Sequence, residues 1–229
     1  MSELRFADGR TIAYEYDAEE RITKVTDSVE GETSYVYDAQ GQLTSETKGG
    51  VTTAFTYDAY GNLKTKGTHT YGYAETGWRD RLTSFDGQAI TYSTSGNPTK
   101  WVNHKNNSGY TMKWRKGREL QSVTDSAGQV ISFSYNTDGV RTAKNDCGVV
   151  HSYLVDGTKI LRESYSDKTL DYLYDNEDSV CGLILNGTAY YFYKNLQGDV
   201  IAITNADGVV KARYSYDAWG ACTVGLDTS

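Results

Sequence analysis

Catalysis needs a nucleophile, a base or a metal-binding set held close together, so the residues able to supply one are weighed before anything else. The sparse candidates are three histidines, His69, His104 and His151, and three cysteines, Cys147, Cys181 and Cys222. Cys147 and His151 are four apart in DCGVVH, beside Asp146, and a thiol next to an imidazole is the raw material of a nucleophile and its base. Residues 145–148 read as a turn, however, which puts Cys147 in a loop and His151 on a strand, so no catalysis is expected of the pair. The cysteines lack CxxC spacing, which argues against a zinc site or a disulfide framework and leaves three free thiols. Asp17, Asp38, Asp58, Asp175 and Asp217 recur at one place in a repeating string, and a row of carboxylates suits Ca²⁺. Ala74, Ser93, Arg115, Asn136 and Lys194 fill the same place elsewhere, which a cation site would not tolerate, so turn formation is the expected role. No metal and no cofactor is expected. Asn106-Asn107-Ser108 and Asn186-Gly187-Thr188 fit the glycosylation acceptor pattern at predicted turns. The basic string KWRKGR, residues 113–118, contains a turn glycine and reads as a solvated hairpin tip rather than a nucleic-acid patch.

What remains is aromatic, and it is abundant: 20 tyrosines and 4 tryptophans, with 23 glycines and a single proline. Tyrosine favours strands and glycine marks turns. Anchoring on the ring of each Tyr-Asp-like dipeptide gives Tyr16, Tyr37, Tyr57, Tyr73, Tyr92, Trp114, Tyr135, Val155, Tyr174, Tyr193 and Tyr216, about 20 residues apart. Two residues before each anchor stand Tyr14, Tyr35, Phe55, Tyr71, Ile90, Met112, Phe133, Tyr153, Tyr172, Tyr191 and Tyr214, all bulky and apolar or aromatic. A spacing of two places both side chains on one face of a strand, whereas a helix would put them about 200° apart. Glycine follows the anchor by four at Gly41, Gly61, Gly96, Gly139 and Gly220, and an Asp or Asn ahead of such a glycine is hairpin-loop chemistry. An apolar residue follows by six at Ile22, Leu43, Leu63, Leu120, Leu161 and Val180, and the return strand runs to a second turn such as Lys48-Gly49-Gly50, Asp86-Gly87 or Asn186-Gly187.

Each unit is therefore one hairpin, and eleven of them predict an all-β antiparallel meander of roughly 20 to 22 strands. The whole chain, 1–229, reads as a single repeat domain. Burying one tyrosine removes about 150–250 Å², at most about 4–6 kcal/mol, while ordering the chain costs about 1–2 kcal/mol per residue. Stability must then be shared between neighbouring units. The net charge of −7 opposes a general phosphate-binding surface. No run approaches 18 apolar residues and the first ten residues carry no signal-like apolar stretch, so this chain by itself is expected neither to span a membrane nor to direct its own export. An open meander leaves edge strands, so edge-to-edge self-association is expected unless the ends are capped.

The string YVYDAQGQLT, residues 35–44, resembles the YD repeat of Rhs proteins, wall-associated proteins and teneurins. RDRLTSFDGQAITYSTSGNPT, residues 79–99, and YYFYKNLQGDVIAITNADGVVKARYSYDAWG, residues 190–220, are similar to the later repeats of bacterial polymorphic toxins of that family. The resemblance implies a sheet that winds spirally into a hollow shell, often around a C-terminal toxin. This chain would be a non-catalytic wall segment of a secreted or cell-surface bacterial protein. Its partners would be further repeats of the shell or the enclosed toxin polypeptide. The family's C-terminal run, R-Y-Y-D-P-x-x-G-R-F, is absent, and eleven units are few for a closed shell. A second reading from a different class is a surface adhesin that binds glycans through exposed rings, by analogy with aromatic-repeat cell-wall modules; those read G-W and W-Y-Y, unlike this chain.

Overall fold

The computed structural model describes residues 2–227, which contain 24 β-strands and no helix. Ten strands, from Ser2–Arg5 to Gln88–Ala89, make one sheet, and fourteen, from Thr91–Tyr92 to Cys222–Asp227, make the other. In both, strand order is chain order, and neighbours run antiparallel, as in the hairpin of Gly31–Tyr37 with Leu43–Lys48. The meander that the 20-residue period predicts is the fold. Alternation is plain along the hairpins: Tyr14 is 1% exposed while Glu15 beside it is exposed, and Val36 between Tyr35 and Tyr37 faces solvent.

The turn after most anchors repeats one set of bonds. Asp38 N–H donates to the Gln42 carbonyl at 2.9 Å and Gly41 N–H returns to the Asp38 carbonyl at 3.0 Å. The Asp38 carboxylate accepts the amides of Gln40 and Gln42, both at 2.9 Å. Asp17, Asp58, Asp175 and Asp217 do the same with the amides two and four residues on. Asn136 takes the place without the charge, and Asn205 makes the same bonds in a turn between units. The residue three beyond the Asp must be left-handed, with φ of +80° at Gly41 and +79° at Gly139, which glycine adopts without steric penalty. Glu20 and Asp178 occupy that slot at +62° and +63°.

Just past the turn, the return strand carries one extra residue. Tyr16 pairs with Ile22 but Glu15 with Lys24, leaving Thr23 as a β-bulge. The same two-against-one count falls at Thr44, Thr99, Gln121, Thr142 and Ile201. The Thr of Y-x-Y-D-x-x-G-x-L-T is thus the bulge residue at Thr44.

Three units depart from this pattern. In the eleventh the shift lies between Arg213 and Tyr214, two residues earlier than in the hairpins above. In the tenth it lies between Tyr193 and Lys194, one residue later, so Lys194 and Phe192 occupy the register positions assigned by spacing to Tyr193 and Tyr191. Tyr191 is 44% exposed, while Tyr193 two residues on packs against the core of Ile12, Tyr14 and Ile201. The turn at Asn195, not the ring, sets the register. In the fourth unit the strand His69–Gly72 ends before Tyr73, and residues 73–83 form a long loop leading to the short strand Ser84–Phe85.

The chain forms two compact units, residues 1–55 with 172–229, and residues 56–171. The first has a core of Ile12, Tyr14 and Ile201, joined by Phe6, Val25, Tyr193 and Tyr216. The second has Phe85, Ile90 and Val102, surrounded by Tyr71, Leu82, Tyr92 and Trp101.

Candidate functional site: the aromatic seam and the closure of the first unit

A bulge interrupts the backbone ladder, and the polar group it frees needs a partner. The anchor ring of the following hairpin supplies one. Tyr37 hydroxyl donates to the Ile22 carbonyl at 2.8 Å, Tyr135 to Leu120 at 2.9 Å and Tyr216 to Val200 at 2.9 Å, each carbonyl belonging to the residue just before a bulge. Trp114 uses its indole N–H on the Pro98 carbonyl at 2.6 Å. Tyr92 reaches the Leu82 carbonyl at 2.7 Å in the same way, although that carbonyl lies in the long loop. Tyr16, in the first hairpin, hydrogen-bonds the Ser2 hydroxyl at 2.7 Å. In these hairpins the second aromatic of the Tyr-x-Tyr pair is therefore a polar tie to the preceding hairpin. Arginines lie over several of these rings: Arg21 is 4.9 Å from the Tyr37 ring centre, and Arg141 is 4.0 Å from that of Phe133.

In the first unit, the opening and closing hairpins meet. Arg10 and Asp27, 3% and 8% exposed, form a forked ion pair with Nη2 to Oδ2 at 2.5 Å and Nε to Oδ1 at 3.0 Å. Arg10 Nη1 also donates to the carbonyl of the bulge residue Ile201 at 3.3 Å. Leu196 N–H donates to the Tyr14 hydroxyl, Ala218 N–H to the buried Glu46 carboxylate, and Phe6 and Phe55 stack on Tyr193 and Trp219 at 4.9 and 4.4 Å. A cleft of about 350 Å³ remains between these elements, with Tyr35, Tyr214, Asp199 and Asp217 among its walls. Burial, followed by the field of Glu46, pushes the Tyr35 phenol up to about 12.

The sequence's chemical candidates are not assembled into a reactive site. Cys147 is exposed in a turn at φ +51°. His151, on the strand Val149–Asp156, bonds Glu163 at 2.6 Å through Nδ1 and stacks on Tyr165 at 4.1 Å. His69 bonds Asp86 at 2.8 Å, and Phe85 stacks with the rings of both His69 and His104. Among the described residues no group of three His, Cys, Asp or Glu is arranged for a metal ion, and no helix is long and apolar enough to cross a membrane. Lys116 and Gly117 form a turn, and Arg115 and Lys116 both face Glu119. Asn107, Asn186 and Gly187 have positive φ at their turns.

Of the aromatic anchors, Tyr14 and Phe55 are buried, and Tyr16, Tyr35, Tyr37, Tyr57, Tyr71, Tyr73, Tyr92, Trp114, Phe133, Tyr135, Tyr172, Tyr174, Tyr193, Tyr214 and Tyr216 are half-buried. Gly41, Gly61, Gly96, Gly139 and Gly220 all have φ near +80°. Sequence reading missed the bulge carbonyl as acceptor and the meeting of the end hairpins. The first was signalled by tyrosine outnumbering phenylalanine at the anchor. The second had no local signal, since Arg10 and Ile201 are 191 residues apart.

Known proteins place this geometry. The Teneurin YD-shell family matches residues 7–227. The tRNA3(Ser)-specific nuclease WapA of Bacillus spizizenii and the tRNA nuclease WapA of Bacillus subtilis are each 32% identical over 196 residues, covering 80% of this chain. The chain spans only 8% of the length of those relatives. A solved TcdB2-TccC3-Cdc42 structure superposes on 98% of the chain, and on 14% of its own, with a TM-score of 0.71 at 16% identity. A Photorhabdus luminescens Tc holotoxin pore structure does so over 96% of the chain, and 14% of its own, at 0.58 and 14%. With its hairpin repeat, its ring ties and this match along nearly its full length, the chain belongs to the teneurin YD-shell family, as a YD-repeat segment of the Rhs type.

Proposed function

We infer that the chain is a non-catalytic wall segment of a YD-repeat shell, one repeat domain whose role is to enclose a polypeptide of the larger bacterial protein to which it belongs. That protein would be secreted or displayed at the cell surface, and the enclosed polypeptide would be a toxin. The observation that carries the reading is where the polar chemistry goes: turn carboxylates are spent on backbone amides and anchor hydroxyls on bulge carbonyls. Groups engaged in building hairpins and tying them together serve a scaffold. The nuclease activity in the names of the WapA relatives belongs to proteins far longer than this chain.

Incubation of the purified chain with tRNA, a casein substrate and cell-wall glycans tests the non-catalytic part. No turnover above buffer is expected. Hydrolysis that disappears on His151→Ala or Cys147→Ser would overturn it. A glycan-binding role has less support, because the exposed rings of Tyr60 and Trp78 already lie under Arg79 and Arg81, and Trp219 is stacked on Phe55.

A further inference from the structure

We propose that the cleft in the unit of residues 1–55 and 172–229 is a binding site for a guanidinium or ammonium side chain of a polypeptide, held between tyrosine rings and carboxylates. Its volume of about 350 Å³ suits one long side chain and its flanking backbone, and Tyr14, Tyr35, Tyr214 and Tyr216 contribute to its walls. Ring faces carry negative charge density and attract cations. The ionisable lining is two basic side chains, Arg10 and Lys48, against four acidic ones, Asp27, Glu30, Asp199 and Asp217, a formal excess of two negative charges.

An anion is poorly served by this arrangement. The guanidinium of Arg10 is directed at Asp27 through Nε and Nη2 and at the Ile201 carbonyl through Nη1. Lys48 Nζ lies 3.3 Å from Glu30. Arg10 is thus committed to its partners, and Lys48 is paired with a carboxylate. The carboxylates of Asp199 and Asp217 also line the cleft; Asp217 accepts the amides of Trp219 and Ala221 and Asp199 the side-chain amide of Asn195, bonds that orient the two groups without neutralising their charge. A cation entering the cleft meets a lining with an excess of carboxylates and four tyrosines.

The assignment rests on the shell reading only for the source of the polypeptide; cation binding itself is a property of this chain. Nuclear magnetic resonance titration with the acetylated peptide Gly-Gly-Arg-Gly-Gly, its citrulline counterpart and spermidine tests it. The arginine peptide is expected to shift the Tyr35 and Tyr214 ring resonances saturably, with the neutral citrulline peptide at least tenfold weaker and added salt weakening binding. The double variant Asp199→Asn with Asp217→Asn should bind about tenfold less tightly at an unchanged melting temperature. Asparagine supports at Asn136 and Asn195 the turn bonds that Asp217 makes, and an asparagine at 199 keeps a side-chain oxygen for the Asn195 amide, so the fold should survive the change. Equal binding of the citrulline peptide, or undiminished binding by the variant, overturns the assignment. Preferential binding of spermidine overturns the polypeptide part and makes a free polyamine the occupant. A failed titration would leave the shell reading standing, because that reading is tested by turnover and by proteolysis.

Discussion

A tyrosine differs from a phenylalanine by one oxygen, and in this repeat that oxygen has an assigned partner. Tyr135→Phe or Tyr216→Phe would leave a part-buried bulge carbonyl without its donor, so each should destabilise the chain by about 1 kcal/mol. In a chain of this size that lowers the melting temperature by about 2–4 °C in calorimetry. Tyr191→Phe, on the exposed face, should leave it unchanged. A titration follows from the turn carboxylates. The side-chain amide of Asn62, helped by backbone amides, holds Asp58 below its ordinary 3.8, and the amides of Ser179 and Glu177 do so for Asp175. These groups bind a proton less readily folded than unfolded, so their stabilisation is complete above about pH 4 and is lost as pH falls through the folded values. Denaturant midpoints measured from pH 6 down to pH 2.5 should therefore fall below about pH 4. Asp58→Asn combined with Asp175→Asn should flatten part of that fall. The sequence shows which residues carry phenols, because Tyr37 and Tyr135 stand where Phe would bury as well. It does not show what the phenols bond, because an acceptor carbonyl is created by the bulge and belongs to no residue type.

At the scale of the hairpin, the turn is the strictest element and also the most legible. Asp38 and Gly41 announce it, because a carboxylate can collect two amides and glycine alone is relaxed at φ +80°. Glu20 fills the left-handed slot with a side chain that disfavours it by about 1–2 kcal/mol. Glu20→Gly should therefore stabilise by roughly 0.5–1 kcal/mol after the added chain entropy of glycine. Gly139→Ala should destabilise by a similar amount, since alanine must adopt φ +79°, while its Cβ would meet the Arg118 guanidinium only at an ordinary contact distance of 3.4 Å. Urea denaturation of the two variants beside the parent chain reads both effects. Where rings crowd together the spacing misleads. Residues 190–193 are four aromatics in succession, and alternation alone cannot say which of them is buried; the Asn195 turn moves the bulge one residue later, and Tyr193 still packs against the core while Tyr191 is exposed. The loop 73–83 was equally hidden, because Tyr71 and Tyr73 keep the spacing of a strand although the strand stops at Gly72.

At the scale of the molecule, the end hairpins of the first unit are joined by contacts that a hairpin-by-hairpin reading cannot foresee. Arg10, Asp27 and the Ile201 carbonyl are brought together only when the chain is folded. Breaking a buried pair by removing one member costs about 3–5 kcal/mol, because the other charge stays buried. Asp27→Ala should accordingly destabilise this unit severely, with hydrogen exchange accelerated in residues 1–55 and 172–227. Arg10→Met combined with Asp27→Leu should recover much of the loss. The composition and the period sufficed for the class of fold, and the strings at residues 35–44 and 190–220 for the family. Which faces close against each other was not written in any one repeat. The most direct test of the shell function is limited proteolysis of the full-length natural product, mapped by mass spectrometry, with and without Asp27→Ala. The account predicts a stretch outside the repeats that resists protease in the parent and is cut once the first unit is opened. Equal cleavage of every such stretch in both proteins would contradict it.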